Sequence, residues 1–356
     1  MAKSEEVFTE RNLMLLENYK PVSKLIVPTT TIDKPKYPVV DAHDHLTESF
    51  GEWTRRPIRQ LLDLLDEGGV KVYIDLDGGW GEDILHAHLD AFKNPAPDRF
   101  QVFGGVNWEP WAEKGDRFGE WAAERFRLQV ARGAQGLKIW KIFGLHVKDQ
   151  HGKLVEVDDP RLDPLWATAG ELKLPVMIHV ADPVAFFDPL DEYNERWEEL
   201  RANPDWHFPS PPFPPFLSIV NGLARLVERH PQVTFIGAHV GCYSENLALV
   251  SDLMDRCPNF YVDIAARISE LGRQPYTARR FFLEHADRIL FGSDFGPNPE
   301  AYRIYYRFLE TEDEYFSYSP GSDIPGQGRW NIYGISLPDD VLAKVYWSNA
   351  ERILQL

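Results

Sequence analysis

The chain has 356 residues, 44% hydrophobic and 26% charged, with a formal net charge of −17. That length holds one large α/β barrel or two average domains, and the apolar fraction excludes an intrinsically disordered chain. The negative charge argues against nucleic acid or an anionic membrane surface as a partner, although a few local arginines and a metal can still receive a small anion.

Two cysteines, Cys242 and Cys257, cannot build a disulfide framework, so a reducing compartment is the default. The N-terminal stretch MAKSEEVFTERNLMLLENYK is charged and lacks the apolar core of a signal peptide. No apolar run approaches the roughly 18 to 20 residues that a membrane helix needs. The expectation is a cytoplasmic protein acting on a small molecule, with no nucleic-acid or membrane partner.

In chain order, short apolar runs alternate with segments of helical period. YPVVDAHDHL reads as the first strand, followed by RPIRQLLDLLDEGG, which has Ile58, Leu61, Leu62 and Leu65 on one face and Gly68 and Gly69 as a stop. VKVYIDLDGG is the second strand and FQVFGGVNW the third, the latter followed by the helix DRFGEWAAERFRLQVARG. QGLKIWK, LPVMIHVAD, VTFIGAHVG and FYVDIAAR are strands four to seven, each with an amphipathic segment behind it. RILFGSDF is the eighth, and DDVLAKVYWSNAERILQL is the helix that ends the chain.

This alternation predicts a parallel sheet covered by helices, and eight units favour closure into a (β/α)8 TIM barrel. A single domain over 1–356 is expected, with an N-terminal extension over 1–36 and the barrel from about residue 37. No GxGxxG follows the first strand, which removes the main reason to prefer a dinucleotide-binding fold. Two insertions break the rhythm, 186–215 after strand five and 297–337 after strand eight. Both start where a barrel strand ends, so both belong at the mouth as lids, binding walls or a dimer interface. The second carries Tyr302, Tyr305, Tyr306, Tyr315, Tyr318 and Trp330, which are placed to cover the pocket or to meet a second subunit. Oligomeric state is open, with a homodimer the arrangement such loops favour.

Several strand ends carry metal-ligand side chains. His43 and His45 in DAHDHL point the same way along a strand, and two imidazoles so spaced can share a cation. An HxH pair alone usually binds nothing, but His179 ends PVMIH, His239 ends FIGAH and Asp294 lies in FGSDF. A buried carboxylate at Asp294 is costly unless a metal or a cation faces it. In QGLKIWK, Leu137 and Ile139 face the helices and Lys138 faces the interior, either as a carbamate bridging two metals or as an ammonium. The ligand set suits zinc, manganese or iron, one or two ions per chain.

With VDAHDHL, GLK, PVMIHV, IGAHVG and LFGSDF in this order, the chain resembles the amidohydrolase superfamily, specifically the amidohydrolase-2 group of metal-dependent TIM-barrel enzymes. The resemblance runs from about Val39 to Leu356. It implies that His43, His45, His179 and Asp294 hold one divalent metal, usually zinc and sometimes manganese. It makes His239 either a ligand for a second metal or the group that orients water or substrate. Lys138 matches a position that some branches carbamylate, whereas decarboxylase members usually lack a lysine there, which tilts the reading towards hydrolysis.

On the substrate side, Arg267 and Arg273 follow the seventh strand and are candidates to grip a carboxylate. Trp80, Trp108 and Trp140 stand at the ends of strands two to four and are candidates to line the pocket, although aromatics there often only pack. Asp77 and Glu109 are rim acids without an assigned role. The predicted reaction is hydrolysis of a small ester, lactone or amide, with a metal lowering the pKa of water to about 7 and Asp294 and His239 moving protons. Two alternatives stand beside it. One is non-oxidative decarboxylation of an aromatic or unsaturated acid. The other is a metal-stabilised binding protein without catalysis.

Overall fold

The computed structural model describes residues 14–79, 82–319, 321–322 and 324–356. Among the described residues nine parallel strands form two arcs, β1 (Val39–Asp44), β2 (Val70–Asp75) and β3 (Phe100–Val102), then β4 (Gly104–Gly105), β5 (Leu137–Ile139), β6 (Val176–Ile178), β7 (Phe235–Gly237), β8 (Phe260–Asp263) and β9 (Ile289–Leu290). β3 and β4 are one strand interrupted at Phe103. At the other seam the Ala42 N–H donates to the Phe291 carbonyl at 3.0 Å, and the Asp294 N–H to the His43 carbonyl at 3.0 Å. The architecture is the (β/α)8 TIM barrel expected from the alternation.

Helices cover the outer face of the strands and the barrel interior closes the inner one, so the strand residues are buried with little alternation. Val40, Ala42, Val72, Ile74, Phe103, Met177, Ile236 and Leu290 form the barrel interior. Leu137 and Ile139 instead join the cluster beneath the helices, and Lys138 pairs in register with Met177, so its side chain faces inward. The β1–β2 register slips between Val39 and Val40 and again between Asp41 and Asp44, which lets His43 reach across the mouth to Lys138.

The outer helices are amphipathic. Leu61 and Leu65 anchor Ile58–Gly68, and Ile219, Val220, Leu223, Leu226 and Val227 anchor Phe216–Arg229. Gly69 ends the first of these in the left-handed conformation at φ 80°. A helix the periodicity did not single out, Glu82–His88, follows β2.

The stretch 297–337 differs from its reading as one long loop. Its first part is the helix Pro299–Glu310, capped by the Asn298 side chain, which accepts from the Glu300 and Ala301 N–H groups. It packs on Ile58–Gly68 so closely that a Cβ on Gly68 would lie 2.5 Å from Tyr302, and Tyr306 donates to the Gly68 carbonyl. Tyr302, Tyr305 and Tyr306 are therefore buried in this chain's own core, and they neither cover the pocket nor offer themselves to a second subunit. The end of the C-terminal helical segment has a different role. Ala350, Ile353 and Leu354 join the interior cluster, and Gln101 reaches the Leu354 carbonyl.

The remainder of that stretch meets 186–215 above the mouth. Arg329 pairs with Glu198, and the buried Arg196 holds Glu199, Glu270 and the Gln327 carbonyl.

Candidate metal centre

The side chains expected at the strand ends converge. His43 and His45 come from the end of β1, Lys138 from β5, and His179, His239 and Asp294 from the turns after β6, β7 and β9. The His43 ring lies 5.6 Å from His45 and 4.7 Å from His239, and His179 lies 4.3 Å from His239. One ligand atom from each of His43, His45 and Asp294 falls within a 4.8 Å group, as does one from each of His43, His239 and Asp263. His179 belongs to neither group and stands at the edge of the cluster, with the Asp182 carboxylate 3.4 Å from its Nε2.

The turns that deliver these groups are strained. His239 and Val240 have φ of 57° and 59°, Ala266 52° and Asp294 60°, left-handed values that cost a non-glycine residue on the order of 1–2 kcal/mol. Such outliers persist where the surroundings over-determine them. Gly292 shows how tight the packing is, since a Cβ there would meet the His43 Cβ at 2.9 Å.

Hydrogen bonds set the imidazole tautomers. The His43 Nδ1–H donates to Asp263 at 2.9 Å, the His45 Nδ1–H to Asp77 at 2.8 Å, and the His239 Nδ1–H to the Ala265 carbonyl at 2.8 Å. Each bond leaves an Nε2 lone pair for the centre of the mouth, the arrangement in which outer carboxylates and carbonyls orient metal-binding histidines. Burial, with Lys138 and neighbouring imidazoles adding to it, lowers the pKa of His43 well below its usual value; burial does the same for His239 and brings His179 down to about 4. These rings are neutral at physiological pH, as metal ligation requires.

Burial lifts the carboxyls, with Asp263 raised to about 6 and Asp294 raised despite the pull of His45, Lys138 and Arg267. Burial lowers Lys138 to about 8, and its Nζ donates to the His43 Nε2 at 3.1 Å. The Nε2 of His179 is buried, and among the described residues it makes no hydrogen bond beyond the 3.4 Å approach of the Asp182 carboxylate. The imidazoles of His43, His45, His179 and His239 and the Asp294 carboxylate fit a divalent ion with nitrogen and oxygen preferences.

Asp294 spans the cluster. One of its oxygens is 3.4 Å from the His45 Nε2 and the other 3.8 Å from the His239 Nε2, with a fifth of the side chain exposed at 20%. Arg267 is buried beside the cluster, and among the described residues its hydrogen-bond acceptor is the Ala266 carbonyl at 2.9 Å. Trp140 is half-buried against His45, its ring 4.7 Å away, so it walls the mouth.

Other candidates are placed elsewhere. Trp108 stacks on Phe143 at 4.8 Å and lies among Trp111 and Phe118, the contacts of a packed core residue. Arg273 is tied to Glu195 by two bonds and stacks on Trp330, so it is not free to grip an anion. Glu109 is exposed, and Trp80 lies outside the described residues.

The sequence reading missed Asp263, which accepts from the His43 ring and from the His239 and Ala265 N–H groups. Its signal was available, an acid ending the apolar run FYVD as ligands end the other runs. It also missed the acids within DAHDH. Asp41 and Asp44 both contact the Ser293 hydroxyl, at 2.7 and 2.8 Å. One hydroxyl proton serves only one of them. Burial raises Asp41 to about 6, and burial with the charges of Asp41 and Asp294 raises Asp44 well above its ordinary value.

Similarity to known proteins agrees with this geometry. The amidohydrolase family model matches residues 40–356. Among solved structures, the 2,6-dihydroxybenzoate decarboxylase from Rhizobium aligns at 17% identity over 89% of this chain and 98% of that one, with a TM-score of 0.53. A dihydroxybenzoic acid decarboxylase from Polaromonas sp., with bound manganese and 2-nitroresorcinol, aligns at 17% identity over 89% and 97%, TM-score 0.53. A protein from Acinetobacter baumannii described as a 2-pyrone-4,6-dicarboxylic acid hydrolase aligns at 10% identity over 90% and 100%, TM-score 0.51. At these identities the likeness establishes the fold. No curated protein matches the chain. With the family model spanning almost everything from β1 to the C-terminus, the chain belongs to the amidohydrolase family.

Proposed function

We propose that the chain is a metal-dependent hydrolase of small esters, lactones or amides that carry a carboxylate. The observation that carries this reading is the placement of Asp294, whose two oxygens face His45 and His239 while its edge stays open to the mouth. His43, His45, His179 and Asp294 would hold one ion, zinc by preference. When bound, it supplies Lewis acidity for the scissile carbonyl and acidifies water.

The chain's own residues do the rest. Asp294 takes the proton from the attacking water. His239, whose Nδ1–H is fixed on the Ala265 carbonyl, receives that proton at Nε2 or holds it for the leaving group. Arg267 grips the substrate carboxylate, and Trp140 walls its apolar part. Lys138 stays an amine beside the site and would give up its hydrogen bond to the His43 Nε2 when that lone pair goes to the ion.

Decarboxylation of an aromatic or unsaturated acid is the second reading. The raised Asp294 pKa favours it, because a carboxyl that keeps its proton can deliver it to carbon as carbon dioxide leaves. Two solved structures with this fold are decarboxylases by name. The deciding experiment offers lactones, esters, amides and hydroxylated aromatic acids in water labelled with heavy oxygen. Label in the product acid supports hydrolysis. Carbon dioxide without label in the product overturns it in favour of decarboxylation.

A further inference from the structure

Arg267 and Asp294, the groups assigned above to substrate grip and proton transfer, each sit in or beside a strained turn. Ala266, immediately before Arg267, has φ 52°, and Asp294 itself has φ 60°. The two turns follow different strands, β8 and β9, so no local sequence fixes their separation.

One side chain touches both. The Tyr305 hydroxyl accepts the Ala266 N–H at 2.9 Å and donates to the carbonyl of Ser293, the residue before Asp294, at 3.0 Å. The Ala266 N–H also approaches the Ser293 carbonyl at 3.1 Å, so the three groups close a small ring. Tyr305 is fully buried in the helix Pro299–Glu310, with its ring 5.5 Å from Phe291 and 6.2 Å from Phe295. On the other side of the same residue, the Ala266 carbonyl accepts from Gln327 and from Arg267 itself.

We propose that Tyr305 is a positioning residue that fixes the two turns carrying Arg267 and Asp294. The inference rests on the reading of those residues above. Its physical basis is that a buried hydroxyl with one donor and one acceptor role, both used on backbone, holds two peptide units that would otherwise relax from left-handed φ. Without it the Asp294 carboxylate loses its fixed placement towards His45 and His239, and metal affinity falls with it.

The test compares Tyr305→Phe with Tyr306→Phe. Tyr306 lies on the same helix, is equally buried, and donates to the Gly68 carbonyl away from the mouth. Both variants lose one buried hydroxyl and should melt at similarly reduced temperatures. Zinc affinity, measured by competition with a chelator, should fall about tenfold in Tyr305→Phe, within the range for groups that orient ligands, and stay unchanged in Tyr306→Phe. Amide hydrogen exchange of the metal-free protein should speed up around 264–268 and 291–296 in Tyr305→Phe alone. Unchanged exchange in those segments, or equal loss of zinc affinity in both variants, overturns the proposal. If wild-type protein takes up no divalent ion, the metal-centre reading fails, while hydrogen exchange still decides the role of Tyr305.

Discussion

The His43 ring donates its Nδ1 proton to Asp263 at 2.9 Å, and the same carboxylate accepts the backbone N–H of His239 at 2.9 Å. A single buried acid at the end of β8 thus orients one histidine from β1 and the turn that carries another from β7. Asp263→Asn keeps the shape but removes the charge that stabilises the Nδ1–H tautomer. Metal affinity should drop by roughly 10- to 100-fold with the fold intact, as measured by chelator competition and circular dichroism. Wild-type affinity in this variant would remove Asp263 from the metal centre.

Metal stoichiometry separates one ion from two. Protein purified without added metal should hold about one equivalent per chain by elemental analysis. His179→Ala should lose it, because the buried Nε2 is assigned as a ligand. Lys138→Met should retain it, because the Lys138 Nζ only donates to the His43 Nε2, a contact that the ion would replace. About two equivalents, both lost in Lys138→Met, would show a carbamate-bridged pair instead.

Acid stability should depend on which buried group is removed. The His179 pKa falls from 6.5 to about 4 on folding, so the unfolded chain takes up its proton first and stability is lost as pH drops through that window. Asp263 moves the other way, from 3.8 to about 6, so its penalty is present above pH 6 and disappears as pH falls towards 4. In urea unfolding of the metal-free protein, His179→Gln should gain on wild type by up to about 3 kcal/mol between pH 6.5 and 4. Asp263→Asn should lose ground over the same range. Parallel curves for the three proteins would contradict both assignments.

The barrel was legible because every strand is covered on both flanks, and parallel strands of that kind read as short apolar runs with a polar last residue. The same regularity exposed His43, His45, Lys138, His179, His239 and Asp294. The role of 297–337 was not legible. Its aromatic residues carry a helical spacing, Tyr302, Tyr305, Tyr306 and Leu309, yet proline and glycine further along dominated the composition and the helix was absorbed into a loop. Asp263 ends its apolar run as the ligands end theirs, but its meaning lies in a partner 220 residues away. Arg273 illustrates the converse, since nothing local to it announces Glu195 or Trp330.

The clasp above the mouth should behave as a buried ion cluster. Arg196 has no exposed side chain and serves Glu199 and Glu270 together, while its ring neighbour Trp330 lies 5.4 Å away. Removing one member strands an opposite charge in the interior, so Arg196→Leu should lower stability by about 3–5 kcal/mol. Adding Glu270→Leu to it should recover part of that loss, since the stranded charge goes with it. A double variant that is less stable than the single one by the full cost of Glu270→Leu alone would show that the two residues are not coupled.

Asp294 and Arg267 should separate kinetically once a turned-over substrate is in hand. Asp294→Asn keeps the side-chain volume but cannot take a proton and weakens the metal site, so with metal supplied to saturation kcat should fall roughly 100- to 10,000-fold with KM little changed. Arg267→Gln leaves proton transfer in place and removes a charged grip worth about 1.5–3 kcal/mol. KM for carboxylate-bearing substrates should therefore rise roughly 10- to 100-fold, and the neutral amide or ester of the same substrate should be affected far less. Steady-state kinetics on the charged and neutral pair gives the answer. Equal losses for both substrates would mean that Arg267 shapes the mouth without touching the carboxylate, and an unchanged kcat in Asp294→Asn would move the proton transfer to His239 alone.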